Sequence, residues 1–279
     1  MKWSDGGQSS DVEDRRGSGS GLGGKLGIGA TILVAGLSLL FHQNLFAVFG
    51  VSPAGSGATS DPQARKAERE SPEEQKLVSF VSFVLDDVQK TWTTALPGYH
   101  HAKLVLFEDG VRSGCGNAEA SMGPFYCPVD EKVYIDLGFY RQLREKYGAP
   151  GEFAEAYVLA HEVGHHVQKL LGTDAKMRDA QQRDPSRRNA QSVMLELQAD
   201  CYAGIWAHST EQRKLLDAGD IPSALGAAAA VGDDRLQKSS TGRVAPESWT
   251  HGSSAQRQQW FETGFKTGQL EACDTFSAR

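Results

Sequence analysis

Two histidines and one glutamate stand at a spacing that can bind and use a metal ion. His161 and His165 lie four residues apart, and Glu162 follows the first of them directly. On a helix, side chains at i and i+4 share one face, so both imidazoles can reach one ion while Glu162 stands beside it. This is the HExxH pattern, in which the histidines bind Zn²⁺ and the carboxylate moves a proton from the attacking water to the leaving amine. A chance match in an ordinary amphipathic helix is the alternative.

The flanking residues predict the helix that positions this motif. Residues 152–160 lead into it without a proline or an interior glycine, and Gly172 is a suitable C-cap. His166 lies off the metal-binding face, so we expect a packed polar neighbour rather than a ligand. The metzincin pattern needs Gly and His three and six residues beyond the second histidine; Gln168 and Leu171 occupy those positions, which excludes that class.

A catalytic zinc ion also needs a third protein ligand and an open position for water. The next strongly helical stretch, residues 190–208, carries two acids, Glu196 and Asp200, again four residues apart. Two unpaired carboxylates in an otherwise apolar helix would be costly to bury. We therefore expect Glu196 to ligate the ion and Asp200 to accept the free ring N–H of a ligating histidine. The alternative is a solvated helix face with both acids pointing outward.

Three motifs, taken in order, resemble those of the membrane metallopeptidases related to HtpX and the CAAX prenyl proteases. They are His161-Glu162-x-x-His165, Glu196-x-x-Ala199-Asp200 and Thr250-His251-x-x-x-x-x-Arg257, the last with Gly252 where that family usually has Pro. From Val12-Glu13-Asp14-Arg15-Arg16 to its end, the chain more closely resembles the bacterial family described as "putative neutral zinc metallopeptidase", or YpfJ-like. The other segments that carry this likeness are Ser113–Gly116, Met122–Cys127, Val133–Asp136 and Gly232–Leu236.

This resemblance implies an α+β, zincin-like metallopeptidase domain that holds one zinc ion and acts on a protein or peptide. It implies His161, His165 and Glu196 as zinc ligands, Glu162 as the general base and Asp200 as the group that orients a ligating histidine. His251 is implied as a catalytic residue, either a removable ligand or an oxyanion donor, with a surface loop histidine as the alternative. Arg257 is implied to anchor its loop through a carboxylate.

Composition fits an enzyme domain with extensions rather than a nucleic-acid binder. The chain has 279 residues, 39% of them hydrophobic, and a formal net charge of −6. That length is enough for one sizeable core. No basic stripe interleaved with aromatic residues is present, so we expect no nucleic-acid partner.

The N-terminal part predicts a membrane protein. Residues 1–25 are rich in Gly and Ser and predict a disordered cytoplasmic tail. Residues 26–50 are predicted to be a single transmembrane anchor, because two apolar runs separated by a polar triplet together reach the roughly 20 residues that span a bilayer. The basic residues on the N-terminal side, Arg15, Arg16 and Lys25, predict a cytoplasmic N-terminus and a catalytic domain outside the inner membrane, in the periplasm. A cleaved signal peptide and a buried core helix are the alternatives.

Downstream, residues 51–71 predict a flexible linker and residues 72–279 the metallopeptidase domain. We expect a helix over 73–96 and strands over 103–107 and 132–136. The second strand is a candidate for pairing with an extended substrate, and a purely structural strand is the alternative. Further helices are predicted at 176–184, 190–208, 211–217, 221–238 and 254–268.

Four cysteines fit an exported domain. Cys115 and Cys127 flank a loop that a disulfide could close, and Cys201 and Cys273 would then form a second bridge. This pairing is one of three that four cysteines allow. Buried free thiols are the alternative.

These features predict a membrane-anchored zinc metalloendopeptidase that hydrolyses peptide bonds with a zinc-activated water and Glu162 as base. The alternative from another class is a catalytically silent zinc-containing binding or regulatory module of the cell envelope, with His251 closing the fourth position. A scaffold without metal would leave the acids Glu196 and Asp200 unexplained.

Overall fold

The computed structural model describes residues 1–17, 66–67, 69–149 and 151–277. The predicted anchor at 26–50, with its signal-peptide alternative, lies outside these described residues, as does the linker prediction over 51–65. None of the helices within the described ranges is long and apolar enough to cross a membrane. The described residues form a mixed α+β fold, mostly helical with a small sheet.

The strands in these ranges are β1 (Val12–Asp14), β2 (Lys103–Phe107), β3 (Gly110–Ser113), β4 (Gly116–Glu119), β5 (Phe125–Cys127) and β6 (Lys132–Asp136). The larger sheet has the order β1-β2-β6-β5, with β1, β2 and β6 parallel and β5 antiparallel to β6. The strands β2 and β6 confirm the two predicted ones. β2 is apolar almost throughout because both of its faces are covered: Leu104 and Leu106 pack in the main core, while Val105 and Phe107 pack in a smaller cluster with Val111.

The position of β6 makes it an unsuitable partner for a substrate strand. It pairs with β2 over residues 132–136 on one side and with β5 over residues 132–134 on the other, so it is an interior strand of the sheet. The candidate strand for substrate pairing over 132–136 was therefore wrong, and β5 forms that edge of the sheet. The signal for β5 is weak because the strand is three residues long and is flanked by Pro124 and Pro128.

The helices are α1 (Pro72–Ala95), α2 (Gly138–Glu145), α3 (Glu152–Leu170), α4 (Thr173–Arg183), α5 (Arg188–Gln212), α6 (Asp220–Ala230), α7 (Asp233–Thr241) and α8 (Ser254–Thr267). Ser71 caps α1 through its side chain, and Pro72 occupies the first turn. The predicted helix over 211–217 is absent, since α5 ends at Gln212. The predicted helix over 221–238 is two helices, α6 and α7, separated at Val231 and Gly232.

Helix α5 lies between α3 and α8, and glycines permit the close approach on both sides. A Cβ on Gly164 of α3 would lie 3.0 Å from the carbonyl oxygen of Ala199 in α5. A Cβ on Gly264 of α8 would lie 1.9 Å from the carbonyl oxygen of Cys201, a distance that no side chain could adopt. These contacts bring the acids of α5 next to the histidines of α3 and next to Arg257 of α8.

Residues 1–17 are folded, which corrects the prediction of a disordered tail for that part of 1–25. They contribute β1, an edge strand whose residues Val12 and Asp14 pair with Leu104 and Leu106 of β2. Gly/Ser-rich composition concealed this strand because its pairing partner lies about 90 residues away in the sequence, where local patterns carry no information.

Both predicted disulfides are present. One joins Cys115 to Cys127, the last residue of β5, and the other joins Cys201 of α5 to Cys273, with Cα–Cα distances of 5.8 and 5.7 Å. No free cysteine remains in the described part of the chain, so the buried-thiol alternative does not hold there.

Candidate metal centre

Three of the residues predicted as ligands converge between α3 and α5. The Nε2 atom of His161 lies 3.3 Å from Glu196 Oε2, and the Nε2 atom of His165 lies 3.5 Å from Glu196 Oε1. One donor atom from each residue falls within 4.8 Å of the other two, the grouping expected of ligands around one ion. Two imidazoles and one carboxylate are a donor set found in catalytic zinc sites, so the residues fit zinc.

A buried ionic network orients the first histidine. Asp200 is fully buried, and its Oδ1 lies 2.8 Å from His161 Nδ1. Arg257 of α8 binds the same carboxylate with two donors, Nε to Oδ2 at 2.7 Å and Nη2 to Oδ1 at 2.9 Å. The hydroxyl of Tyr157, one turn before His161 in α3, also donates to Asp200 Oδ1. With Nδ1 of His161 held by a carboxylate, its Nε2 is left for the metal.

The pKa values of His161, Asp200 and Glu196 are shifted by burial and by the charges of their neighbours. Burial alone would lower the pKa of His161, but the Asp200 and Glu196 carboxylates raise it to about 10. Burial would raise the pKa of Asp200, yet Arg257 and His161 hold it below its usual value. Burial would also raise the pKa of Glu196, but His165 and His161 hold it well below the normal range. The two carboxylates thus favour the protonated form of His161, and a metal ion bound there would replace that proton.

The second histidine is oriented by amides that the sequence analysis did not identify. The Nδ1 atom of His165 lies 2.8 Å from Gln168 Oε1, which leaves Nε2 for the metal. Gln168 Nε2 donates to the carbonyl of Leu195 at 2.7 Å and to Gln198 Oε1 at 3.1 Å. Gln198 in turn donates to the carbonyl of Cys273 at 3.0 Å. A signal was available, since a polar residue three positions after a ligand on an apolar helix lies on the same face.

We expect Gln168→Leu to lower zinc affinity by roughly 10–100-fold, because the change keeps side-chain volume and removes the group that holds His165 in its binding orientation. Competition with a chromophoric chelator measures the affinity directly. The matched control is Gln182→Leu, an exposed glutamine on α4. Equal zinc affinities for the two variants would show that Gln168 does not orient the ligand.

Glu162 lies beside the donor group and lines a cavity of about 580 Å³. The carboxyl group is nearly buried, and burial raises the pKa of Glu162, although the neighbouring histidines His161 and His165 oppose the shift. A carboxyl group with a raised pKa is better matched to accepting a proton near neutral pH than an exposed one. Glu162 and the donor residues His161, His165 and Glu196 line the same cavity.

His251 lines the same cavity but does not belong to the donor group. It is half exposed, and its Nδ1 lies 3.2 Å from Asp233 Oδ1. Asp233 also holds the loop, because its Oδ2 accepts the backbone N–H groups of Thr250, His251 and Gly252 at 2.7–3.0 Å. Gly252 has φ of +90°, a conformation that glycine tolerates.

His166 is fully buried and has partners on both ring nitrogens. Its Nδ1 lies 2.9 Å from the hydroxyl of Tyr126 in β5, and its Nε2 lies 2.8 Å from the carbonyl of His100. Because a carbonyl only accepts, Nε2 carries the proton and Nδ1 accepts from Tyr126. His166 is therefore a packed neighbour, as expected, and it ties the edge strand to the helix that bears the donor histidines.

Comparison with known proteins agrees with this chemistry. The family described as "Putative neutral zinc metallopeptidase" matches residues 1–276. The chain is 45% identical to the uncharacterized protein YpfJ of Escherichia coli K12 over 99% of both chains. It is 48% identical to the uncharacterized protein Rv2575 of Mycobacterium tuberculosis H37Rv, over 69% of this chain and 68% of that protein. No solved structure matches the chain.

Proposed function

Because the chain belongs to the family described as "Putative neutral zinc metallopeptidase", we propose that it is a zinc metalloendopeptidase that hydrolyses peptide bonds with Glu162 as general base. The observation that carries this proposal is the convergence of His161 Nε2, His165 Nε2 and the Glu196 carboxylate beside buried Glu162. In both histidines Nδ1 is already engaged, which supports binding of one ion by the Nε2 atoms.

The proposed roles divide between the ion and the protein. When bound, zinc acidifies a water molecule and polarises the scissile carbonyl. Glu162 takes the proton of the attacking water and delivers it to the amine that leaves. Asp200, Arg257 and Tyr157 hold His161 in place, while Gln168 holds His165.

An extended peptide has a suitable partner in β5. This strand borders the cavity, it runs antiparallel to its one neighbour, β6, and it is the edge of the sheet nearest α3. Main-chain pairing with an edge strand binds substrates with little regard to sequence, and side pockets then supply preference. The cavity wall beyond β5 includes Phe139 and Tyr147, which favour an apolar side chain next to the scissile bond. An edge strand above the active helix supports a zincin-like fold.

Tyr126→Phe tests the link between this strand and the active helix. The variant loses the hydrogen bond to His166, a contribution of about 1 kcal/mol, so we expect KM to rise roughly fivefold while kcat changes less. Steady-state kinetics on one peptide separate the two constants. The control is Tyr99→Phe, whose hydroxyl bonds Gln89 and not His166. A fall in kcat at unchanged KM would contradict a role in strand positioning.

We propose that His251 donates to the oxyanion that forms during attack on the carbonyl. Asp233 engages Nδ1, which leaves Nε2 as the ring nitrogen for a ligand in the cavity. Removal of one such donor lowers kcat by roughly 10²–10³-fold. We therefore expect that loss for His251→Ala, with zinc affinity unchanged. Reduced zinc content in the variant would instead indicate a ligand role.

The number of protein ligands distinguishes an enzyme from the alternative of a catalytically silent zinc module. A structural zinc site normally has four protein ligands, whereas the donor group within the described residues has three members. An open fourth position and a buried glutamate at its side favour catalysis over a purely structural or regulatory ion. The two disulfides favour an oxidising compartment, so we also propose a location outside the cytoplasm with attachment through residues 26–50.

Cleavage of an unfolded protein by the purified full-length chain tests the function. The chain is stripped with a chelator, and one portion is reloaded with one equivalent of zinc. We expect fragments with new termini, identified by mass spectrometry, from the zinc-loaded portion alone. Stoichiometric zinc binding without any cleavage across a panel of unfolded proteins would favour the binding module.

A further inference from the structure

The strand β1 precedes the apolar segment in the sequence, yet it is part of the same sheet as the catalytic region. Val12, Glu13 and Asp14 pair in parallel with residues 104–106 of β2. The side chain of Glu13 adds an ion pair to Lys132 of β6 at 2.6 Å. Residues 12–14 therefore extend the sheet that the catalytic region builds.

The rest of the N-terminal segment is bound by several elements. Trp3 packs on Phe80 and Phe83 of α1, with ring centroids 5.3 and 6.3 Å away, and its Nε1 donates to Glu152 of α3. Asp11 is nearly buried and contacts three partners. These are Lys103 Nζ at 2.6 Å, Gln89 Nε2 at 2.9 Å and His101 Nδ1 at 2.7 Å. An appended tail would not satisfy buried polar groups of the domain, whereas this segment does.

Residues 16 and 17 also lie close to residues 69 and 74, on the other side of the undescribed segment in the sequence. Arg16 donates to Glu74 Oε1 at 2.8 Å, at the start of α1. A Cβ on Gly17 would lie 2.7 Å from the guanidinium of Arg69. The last described residue before position 18 and the first ones after position 65 are thus neighbours on the surface.

This closeness conflicts with one passage of the chain through a bilayer. An odd number of crossings would put residues 1–17 and residues 66–277 on opposite sides, where β1 could not pair with β2. Two crossings would need about 40 apolar residues, since each takes about 20. The apolar stretch covers only residues 26–51 and is interrupted by His42-Gln43-Asn44.

The flanking charges do not favour a crossing either. Three basic residues precede the apolar stretch, and three follow it within 20 residues: Arg15, Arg16 and Lys25 before, Arg65, Lys66 and Arg69 after. The orientation of a crossing segment is set by a difference in Lys and Arg between its two flanks. Here that difference is zero, so the flanks give the apolar stretch no preferred orientation across a bilayer.

We propose that residues 1–17 and 66–277 lie on the same side of the membrane to which the chain is attached. This replaces the arrangement with a cytoplasmic N-terminus and an external catalytic domain. It rests on the proposed membrane attachment and not on catalysis, so it can fail or hold independently of the zinc chemistry.

Single cysteines in the full-length chain test the arrangement. Ser4→Cys reports the N-terminal segment and Ser239→Cys reports α7; both serines are exposed. Spheroplasts expressing each variant are treated with a membrane-impermeant maleimide, before and after permeabilisation. The unmodified chain is the control, because its described cysteines are paired. We expect the two variants to react alike, both before permeabilisation or both only after it.

Opposite behaviour of the two positions would overturn the proposal. Label on a short fragment that lacks the catalytic region would also overturn it, since residues 1–17 would then have been cleaved away. Carbonate extraction of the same membranes supplies the second measurement. Recovery of the chain in the soluble fraction would overturn the membrane insertion itself, whatever the result of the zinc-dependent cleavage test.

Discussion

Glu162→Gln is expected to lower kcat by roughly 10²–10⁴-fold while zinc remains bound. The amide has the shape of the acid but cannot accept a proton at neutral pH. Because His161, His165 and Glu196 supply the donor atoms, the exchange leaves the ligands intact. The loss should therefore fall on the chemical step, with KM little changed.

The measurement compares kcat at equal zinc content, determined by metal analysis of each preparation. Glu152→Gln is the matched control, since it makes the same exchange in the first turn of the same helix. We expect the control to retain activity close to that of the unmodified chain. A Glu162→Gln enzyme that kept more than a tenth of the original kcat would require another base, and the same activity in both variants would point to a contaminating protease.

Arg257→Met is expected to lower the free energy of unfolding of the zinc-free chain by about 3–5 kcal/mol. Arg257 is buried and holds the fully buried Asp200 with two hydrogen bonds. Methionine fills similar space but leaves that carboxylate without its principal counter-charge. Denaturant unfolding at fixed pH measures the loss.

The pH dependence of this loss has a definite sign. In the unmodified chain the pKa of Asp200 is held below its usual value, so its stabilising effect is present above about pH 4 and is lost as the pH falls through the lowered pKa. Without Arg257 the pKa of Asp200 should rise, because only His161 then opposes the effect of burial. The variant therefore gains less stability than the unmodified chain as the pH rises above about 4, and the difference between the two chains should grow over that range.

A double-mutant cycle separates the interaction between Asp200 and Arg257 from the contribution of each side chain alone. Asp200→Asn should also destabilise, and the double variant Asp200→Asn/Arg257→Met should lose less than the sum of the single losses. Strict additivity would mean that the two side chains do not stabilise one another. The zinc affinity of each variant, measured in parallel, reports how far the orientation of His161 depends on the pair.

The ligand positions were predictable because helix geometry fixes them locally. Spacings of four residues in α3 and α5 placed His161 with His165 and Glu196 with Asp200 before any tertiary contact was known. The same rule would have found Tyr157, four residues before His161, and Gln168, three after His165. Their spacing was the available signal, but it was missed because a tyrosine or a glutamine does not by its residue type indicate a metal site.

The features that could not be predicted, such as the loop that carries His251 and the strands β1 and β5, depend on contacts with residues distant in the sequence. Asp233 accepts three backbone N–H groups of the loop that carries His251, an arrangement that no local pattern reveals. The strands β1 and β5 are three residues each, so they show too few alternations for a periodic signal. Their existence follows from pairing with β2 and β6, which the sequence did predict.

The order in which the ribosome makes these parts has a consequence for the cell. The proposed ligands and the proposed base lie between residues 161 and 196, but the arginine that neutralises Asp200 lies on α8, and the bridge from Cys201 ends at Cys273. A nascent chain that has exposed His161 and Glu162 still lacks the helix that holds His161 in place. On the proposed function, the complete site with its orienting arginine therefore forms only after α8 has been made, when synthesis is almost finished.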